Sequence, residues 1–170
     1  MTEKLRSSVS VRTMSVNDLA REVEQSARGF GLCAAEGVAA GMAVGSGFHV
    51  TAAGLHALRG GGVDPRAVAK HALSAAMKLG LVVGTYRGLK FCMDGASPTT
   101  RKMNAAGAGA LAMTSALLTN PAMARGVMEQ QAAIAGRSLG VPGAVFSFML
   151  MGAGFFGVGD SIISAARGWR

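Results

Sequence analysis

Residues Gly37 to Gly45 read GVAAGMAVG, with glycine at every fourth position of an apolar run. In water this is a poor helix, because each interior glycine costs roughly 1 kcal/mol relative to alanine. In lipid the same spacing is useful. Glycines four residues apart fall on one helical face, and that bare strip lets a second helix approach closely. The stretch is therefore read as part of a membrane helix.

The pattern extends outward. No Lys, Arg, Asp or Glu occurs from Gly37 to Leu58, a run long enough for a hydrocarbon core of about 30 Å. A second segment, roughly Val68 to Met93, is interrupted by Lys78, Arg87 and Lys90 but repeats the ladder as Gly80, Gly84 and Gly88. A third runs uncharged from Met103 to Ala124, with Gly107 and Gly109 among alanines and with Pro121 expected to end or kink its helix. The fourth, Ser138 to Gly159, carries Gly152, Gly154, Gly157 and Gly159. The expectation is an all-α membrane protein of four glycine-rich transmembrane helices. Gly37, Gly41, Gly45, Gly80, Gly84, Gly88, Gly107, Gly109 and Gly152 are its candidate packing positions.

Composition agrees. Half of the 170 residues are hydrophobic and 15% are charged, while 25 glycines and 5% aromatics give little material for a dense water-soluble core. The net charge of +8 has no basic block interleaved with aromatics, so nucleic acid is not the expected partner. The cations punctuate apolar runs, which suits anionic lipid headgroups. Residues 1–30 form a separate polar segment, helical and amphipathic from about Ser15, with Ser15 or Asn17 as cap. Its arginines and serines are those of a mitochondrial targeting peptide, but Glu3, Asp18, Glu22 and Glu24 argue against one. Residues 31–170 make up the four-helix domain, with a short interfacial helix in the link around Met123 to Arg137.

Charges near the membrane carry the remaining information. In an antiparallel hairpin of the first two helices Glu36 lies near Arg87 and Lys90, close enough for an ion pair with Arg87. The alternative is that all three reach headgroups independently. Lys78 falls near Ser46 and His49 in depth, and either snorkels along its stem or faces a polar seam. Cys33 and Cys92 fall near one face. A disulfide between them needs an oxidising compartment, and two separate buried thiols is the simpler expectation. His49, His56 and His71 have no carboxylate or cysteine at ligand spacing, and no nucleophile elbow or phosphate loop is present. No enzyme activity, cofactor, metal or small-molecule substrate is expected.

The stretch GTYRGLKFCMDGASPTTRKMNAAGAGA, from Gly84 to Ala110, resembles the signature region of the Tim17/Tim22/Tim23 family. Gly88 and Phe91 match its small–aromatic pair, Asn104 its third-helix opening, and Gly109 the glycine that follows. Ser97 and Arg101 stand about where the family carries an arginine and an acidic residue, which fits a divergent member. The resemblance implies the mitochondrial inner membrane and a non-catalytic role. The leading expectation is a structural accessory subunit of a respiratory complex, most of all complex I (NADH:ubiquinone oxidoreductase). Its partners are other membrane subunits and membrane lipid such as cardiolipin, with Arg87, Lys90, Arg101 and Lys102 at headgroups. The alternative is a subunit of a protein-import translocase, and a peroxisomal membrane protein of the same fold is third. Loop charge places both termini in the matrix, whereas the resemblance implies the intermembrane space.

Overall fold

A computed structural model describes residues 15–96, 100–135 and 140–168. Five helices occur among them: α1 (Val16–Leu58), α2 (Pro65–Ala96), α3 (Arg101–Thr119), α4 (Pro121–Ala135) and α5 (Gly140–Gly168). The breaks follow from local chemistry. Ser15 caps α1, its Oγ accepting from the Asp18 amide at 3.1 Å. The helix stops where Gly60 turns to φ +80° and the amides of Gly60 and Gly61 bond back to the carbonyls of Ala57 and His56. Pro65 opens α2, with Asp64 Oδ1 accepting from the Arg66 amide at 2.9 Å. Pro121 ends α3 as expected: it holds Asn120 extended, and Asn120 then caps α4 through the Met123 amide at 3.2 Å.

The helix count differs from the expected four spans. Three helices, α1, α2 and α5, are long and apolar enough to cross a membrane. The chain is thus a helical membrane protein. The 19-residue α3 lies between α2 and α5, and its covered faces are built of alanine and glycine, which lowers its apolarity. Ala105 and Ala108 are 0% exposed. The boundary between residues 30 and 31 is also absent. No proline or turn intervenes, so the amphipathic segment from Val16 runs unbroken into the first span as one 43-residue helix, about 65 Å long. Residues 1–14 of that segment lie outside the described ones.

The helices form a row. α1 packs on α2, α2 on α3 and α3 on α5, while the backbones of α1 and α5 do not meet. Two seams hold the row, and both are made of small residues. In the first, Gly37, Gly41 and Gly45 are buried against Gly84, Gly80 and Ala76. A Cβ at Gly41 would lie 2.5 Å from the Leu79 carbonyl oxygen and 2.8 Å from Gly80 Cα. The ladder ends in a reciprocal aromatic lock, with Phe30 over Gly88 and Phe91 over Gly29.

In the second seam Gly109 and Gly152 face each other, each leaving no room for a Cβ against the other's carbonyl oxygen. Gly107 is not part of it. Its nearest neighbour across the helix is the Met93 methyl, at 3.1 Å from a Cβ placed there. Small residues occupy more than one side of α3, so spacing alone did not select the contacting face. Gly157 packs on Ala106 instead, while Gly154 and Gly159 have open space. Two apolar clusters complete the interior: Val82, Ala116 and Phe156, and Leu117, Ala144 and Phe148.

Candidate functional site

A charged clasp beside an open groove is built from three helices. The second half of α2 presents Tyr86, Lys90 and Asp94 at four-residue intervals, and α5 presents Phe156 and Asp160 at the same interval. Lys90 Nζ lies 2.7 Å from Asp94 Oδ2 and 3.6 Å from Asp160 Oδ1. Below the clasp the Tyr86 and Phe156 rings stack with centroids 4.1 Å apart. α2 and α5 therefore meet through side chains where their backbones stay apart.

Asn104 joins α3 to the same cluster. It is a buried polar residue where α3 packs on α2, and burial requires that its amide find partners. Its Nδ2 donates to the Met93 carbonyl at 3.1 Å and to Asp94 Oδ1 at 3.0 Å, and its Oδ1 accepts from Thr100 Oγ1 at 3.1 Å. The bonds to Met93 satisfy one of the last carbonyls of α2, which has no partner within its own helix. Replacing Asn104 with Ala is expected to destabilise the fold by about 1–3 kcal/mol, the cost of leaving such groups unsatisfied. A denaturant titration of the purified protein in mild detergent measures it. Asn104→Asp should be worse than Ala, since it places a second carboxylate on Asp94.

Beside the clasp a groove of about 940 Å³ opens between α1–α2 and α5. Cys33, Arg87, Lys90, Phe91, Phe155 and Asp160 line it. Arg87 bonds Glu36 of α1 at 3.2 Å across its mouth, the ion pair considered from the sequence. Counting these side chains, the groove holds the cations Arg87 and Lys90 against the carboxylates Glu36, Asp94 and Asp160, so its charges are largely matched. A second cleft of about 440 Å³ follows lower on α2, between Ala75 and Val82.

The structure redistributes the residues expected to meet lipid. Arg101 is exposed at the start of α3, while the Lys102 side chain lies outside the described residues. Lys90 is taken out of the headgroup set, because two carboxylates hold its ammonium. The cysteines are free thiols, Cys33 half-buried in the groove and Cys92 exposed. The residues on which the resemblance rests, Gly88, Phe91, Asn104 and Gly109, all have structural work: two in the aromatic lock, one in the clasp, one in the second seam.

Asp94, Asp160 and Tyr86 were not singled out from the sequence. The available signal was the rule that acids at the borders of apolar runs are costly and therefore partnered, together with the four-residue spacing of Lys90 and Asp94. Among the described residues no group of three His, Cys, Asp or Glu side chains is placed to hold a metal. The His49 and His71 rings face each other at the other end of the hairpin, with centroids 6.3 Å apart.

Compared with protein-family models, curated proteins and solved structures, the chain matches none. Its class is set by its own architecture: a membrane protein with three helices able to span, two glycine seams and one charged clasp.

Proposed function

We propose that this chain is a non-catalytic packing subunit of a multi-subunit complex in the mitochondrial inner membrane, with complex I as the leading assignment. In this reading α3 is the fourth span and α4 lies at the interface. The observation that carries it is the contrast between the two glycine seams and the groove. The seams join helices of the same chain backbone to backbone, which makes a rigid row. The groove beside Lys90 is left open, with Phe155 74% exposed and Ile162 64% exposed along α5. An open, apolar, charge-matched side on a rigid row is suited to receiving a transmembrane helix of a neighbouring subunit. The resemblance of the Gly84–Ala110 region to the Tim17/Tim22/Tim23 signature supports the mitochondrial assignment, and that family includes a complex I accessory subunit.

Native electrophoresis of mild-detergent mitochondrial extracts tests this reading. Co-migration of the chain with NADH dehydrogenase activity is expected, and depleting the chain should lower the amount of the intact complex. Isolation of that complex complete but without this chain would sink the assignment.

The groove also favours a second reading. Its open side, with carboxylates at one end, suits a translocase subunit that passes precursor segments toward lipid. Photo-crosslinkers at Phe155 and Cys33 separate the two readings. Adducts with one constant partner support the packing subunit, and adducts with arrested precursor proteins support the translocase.

A further inference from the structure

We infer that the exposed N-terminal end of α1 is a docking site for a basic-edged amphipathic helix of a neighbouring subunit, which covers α1 where α2 stops. A helix face continues there past its cover. Phe30, Gly37, Gly41 and Gly45 lie on the side of α1 that meets α2. Helical spacing carries that side back through Val23, Leu19 and Val16. α2 does not follow. Gly41 meets Leu79 and Gly80, and Gly29 meets Phe91, so the antiparallel register brings Ala96, the end of α2, about level with Gln25. Val16, Leu19 and Val23 stand beyond it, 83%, 54% and 61% exposed.

Position sets lipid aside as the cover. Val16 precedes Gly37, the start of the uncharged run, by about 31 Å of unbroken helix. The headgroup layer outside the hydrocarbon core is only about 5–8 Å deep, and the usual helix tilt of about 20° changes the reach little. The stripe is thus held in water, where an apolar face gains by being covered. Charge then selects the cover. Glu22 and Glu24 border Val23, each about 100° round the helix from it, while Arg21 and Arg28 lie about 140–160° away at the back. A partner on the stripe meets carboxylates along both edges, and Lys or Arg on its own flanks answers them, as at the edges of a coiled-coil seam. A second copy of this chain would set glutamates against glutamates, and α2, beneath the same face, would hold the two α1 helices apart.

The inference rests on the packing-subunit reading, since it needs a neighbouring subunit. The test is maleimide labelling of Val23→Cys and, as a control facing away from the stripe, of Gln25→Cys, with Cys33 and Cys92 replaced by alanine. Rates are compared between native membranes and the purified chain in mild detergent. Val23→Cys should react about tenfold slower in membranes, as for a face covered about nine-tenths of the time, and Gln25→Cys equally in both. Adding Glu22→Lys and Glu24→Lys should return the Val23→Cys rate to that of the purified chain, with the helical circular dichroism spectrum unchanged. A photo-crosslinker at Val23 should join one constant neighbouring polypeptide, at a segment with Lys or Arg within one turn of the adduct.

Equal labelling of Val23→Cys in both preparations would overturn the inference, as would protection that survives the charge reversal. Adducts with a second copy, with lipid or within the chain itself would do the same. Native electrophoresis separates this failure from that of the reading beneath it. Migration of the chain by itself sinks the packing-subunit reading and this inference together. Migration in a larger assembly with Val23→Cys freely labelled sinks this inference alone.

Discussion

Gly41→Leu is expected to unfold the helical hairpin, lowering stability by about 3 kcal/mol or more, at or beyond the upper end of overpacking costs. The reason lies in what surrounds the site. The three nearest atoms to a Cβ at Gly41 are the Leu79 carbonyl oxygen, the Leu79 carbonyl carbon and Gly80 Cα, at 2.5, 2.7 and 2.8 Å. All belong to backbone, so no rotamer change relieves the contact. The two helices must separate, and separation also breaks the contacts at Gly37 and Gly45. In lipid nothing else replaces them, because apolar side chains gain no hydrophobic free energy by leaving acyl chains for protein.

A graded series makes the claim specific. Gly41→Ala should cost less than Leu but remain destabilising, because its Cβ alone already meets backbone. Gly47→Leu, on the same helix, should stay within about 0.5 kcal/mol of wild type, since a Cβ there has nothing within 4 Å. Denaturation by sodium dodecyl sulfate in mixed micelles, followed by circular dichroism and a crosslink between α1 and α2, provides the readout. Equal stability of the two leucine variants would mean that the seam does not hold the fold.

That glycine ladder is also the part of the structure most legible in the sequence. Gly37, Gly41 and Gly45 and their counterparts Gly80, Gly84 and Gly88 keep the helical period strictly, and every one is buried. The antiparallel pairing that follows puts Glu36 on Arg87. Periodicity fails where small residues do not keep to one side. Along α3, Ala105, Gly107, Ala108, Gly109 and Ala112 give no unique face, and the two glycines face different neighbours, Gly109 the backbone of Gly152 on α5 and Gly107 the Met93 methyl on α2.

The count of spans and the N-terminal boundary were harder for a related reason. A helix covered by protein on two sides needs no strongly apolar surface, so α3, read from the sequence as a span, is not among the three helices long and apolar enough to cross a membrane. A helix continuing beyond the membrane changes composition without changing conformation, so the polar stretch before Gly31 and the span after it are one element. The clasp was illegible for yet another reason. Asp94 and Asp160 belong to different apolar segments, and their meeting over Lys90 depends on α5 lying beyond α3 in the row. No local pattern encodes that placement.

The clasp gives the second large effect. Lys90→Met should destabilise the protein by about 2–4 kcal/mol, somewhat below the 3–5 kcal/mol of a fully buried broken pair. The side chains of Lys90, Asp94 and Asp160 are 21%, 22% and 26% exposed, so water relieves part of the loss. Methionine preserves most of the stem packing and removes the charge, which leaves two carboxylates sharing a site without a cation. Asp94 keeps the Asn104 amide at 3.0 Å; Asp160 keeps neither that bond nor the ammonium. The penalty should therefore fall mainly on Asp160, and Asp160→Asn in the Lys90→Met background should recover about half of it.

In the presence of Lys90, Asp160→Asn alone should be mild, because the 2.7 Å pair with Asp94 persists. Arg28→Ala serves as the reference for an exposed pair: its guanidinium bonds Glu24 at 2.6 Å, but with 76% and 62% exposure it should contribute at most about 0.5 kcal/mol. A double-mutant cycle on Lys90 and Asp160, measured by the same denaturation, yields the coupling between α2 and α5. Strong coupling would identify the clasp as what ties the α3–α5 half of the row to the α1–α2 hairpin and sets the width of the groove between them. Additive effects would leave that task to the α2–α3 packing, the Asn104 bonds and the Tyr86–Phe156 stack, and the width of the groove would then not depend on its charges.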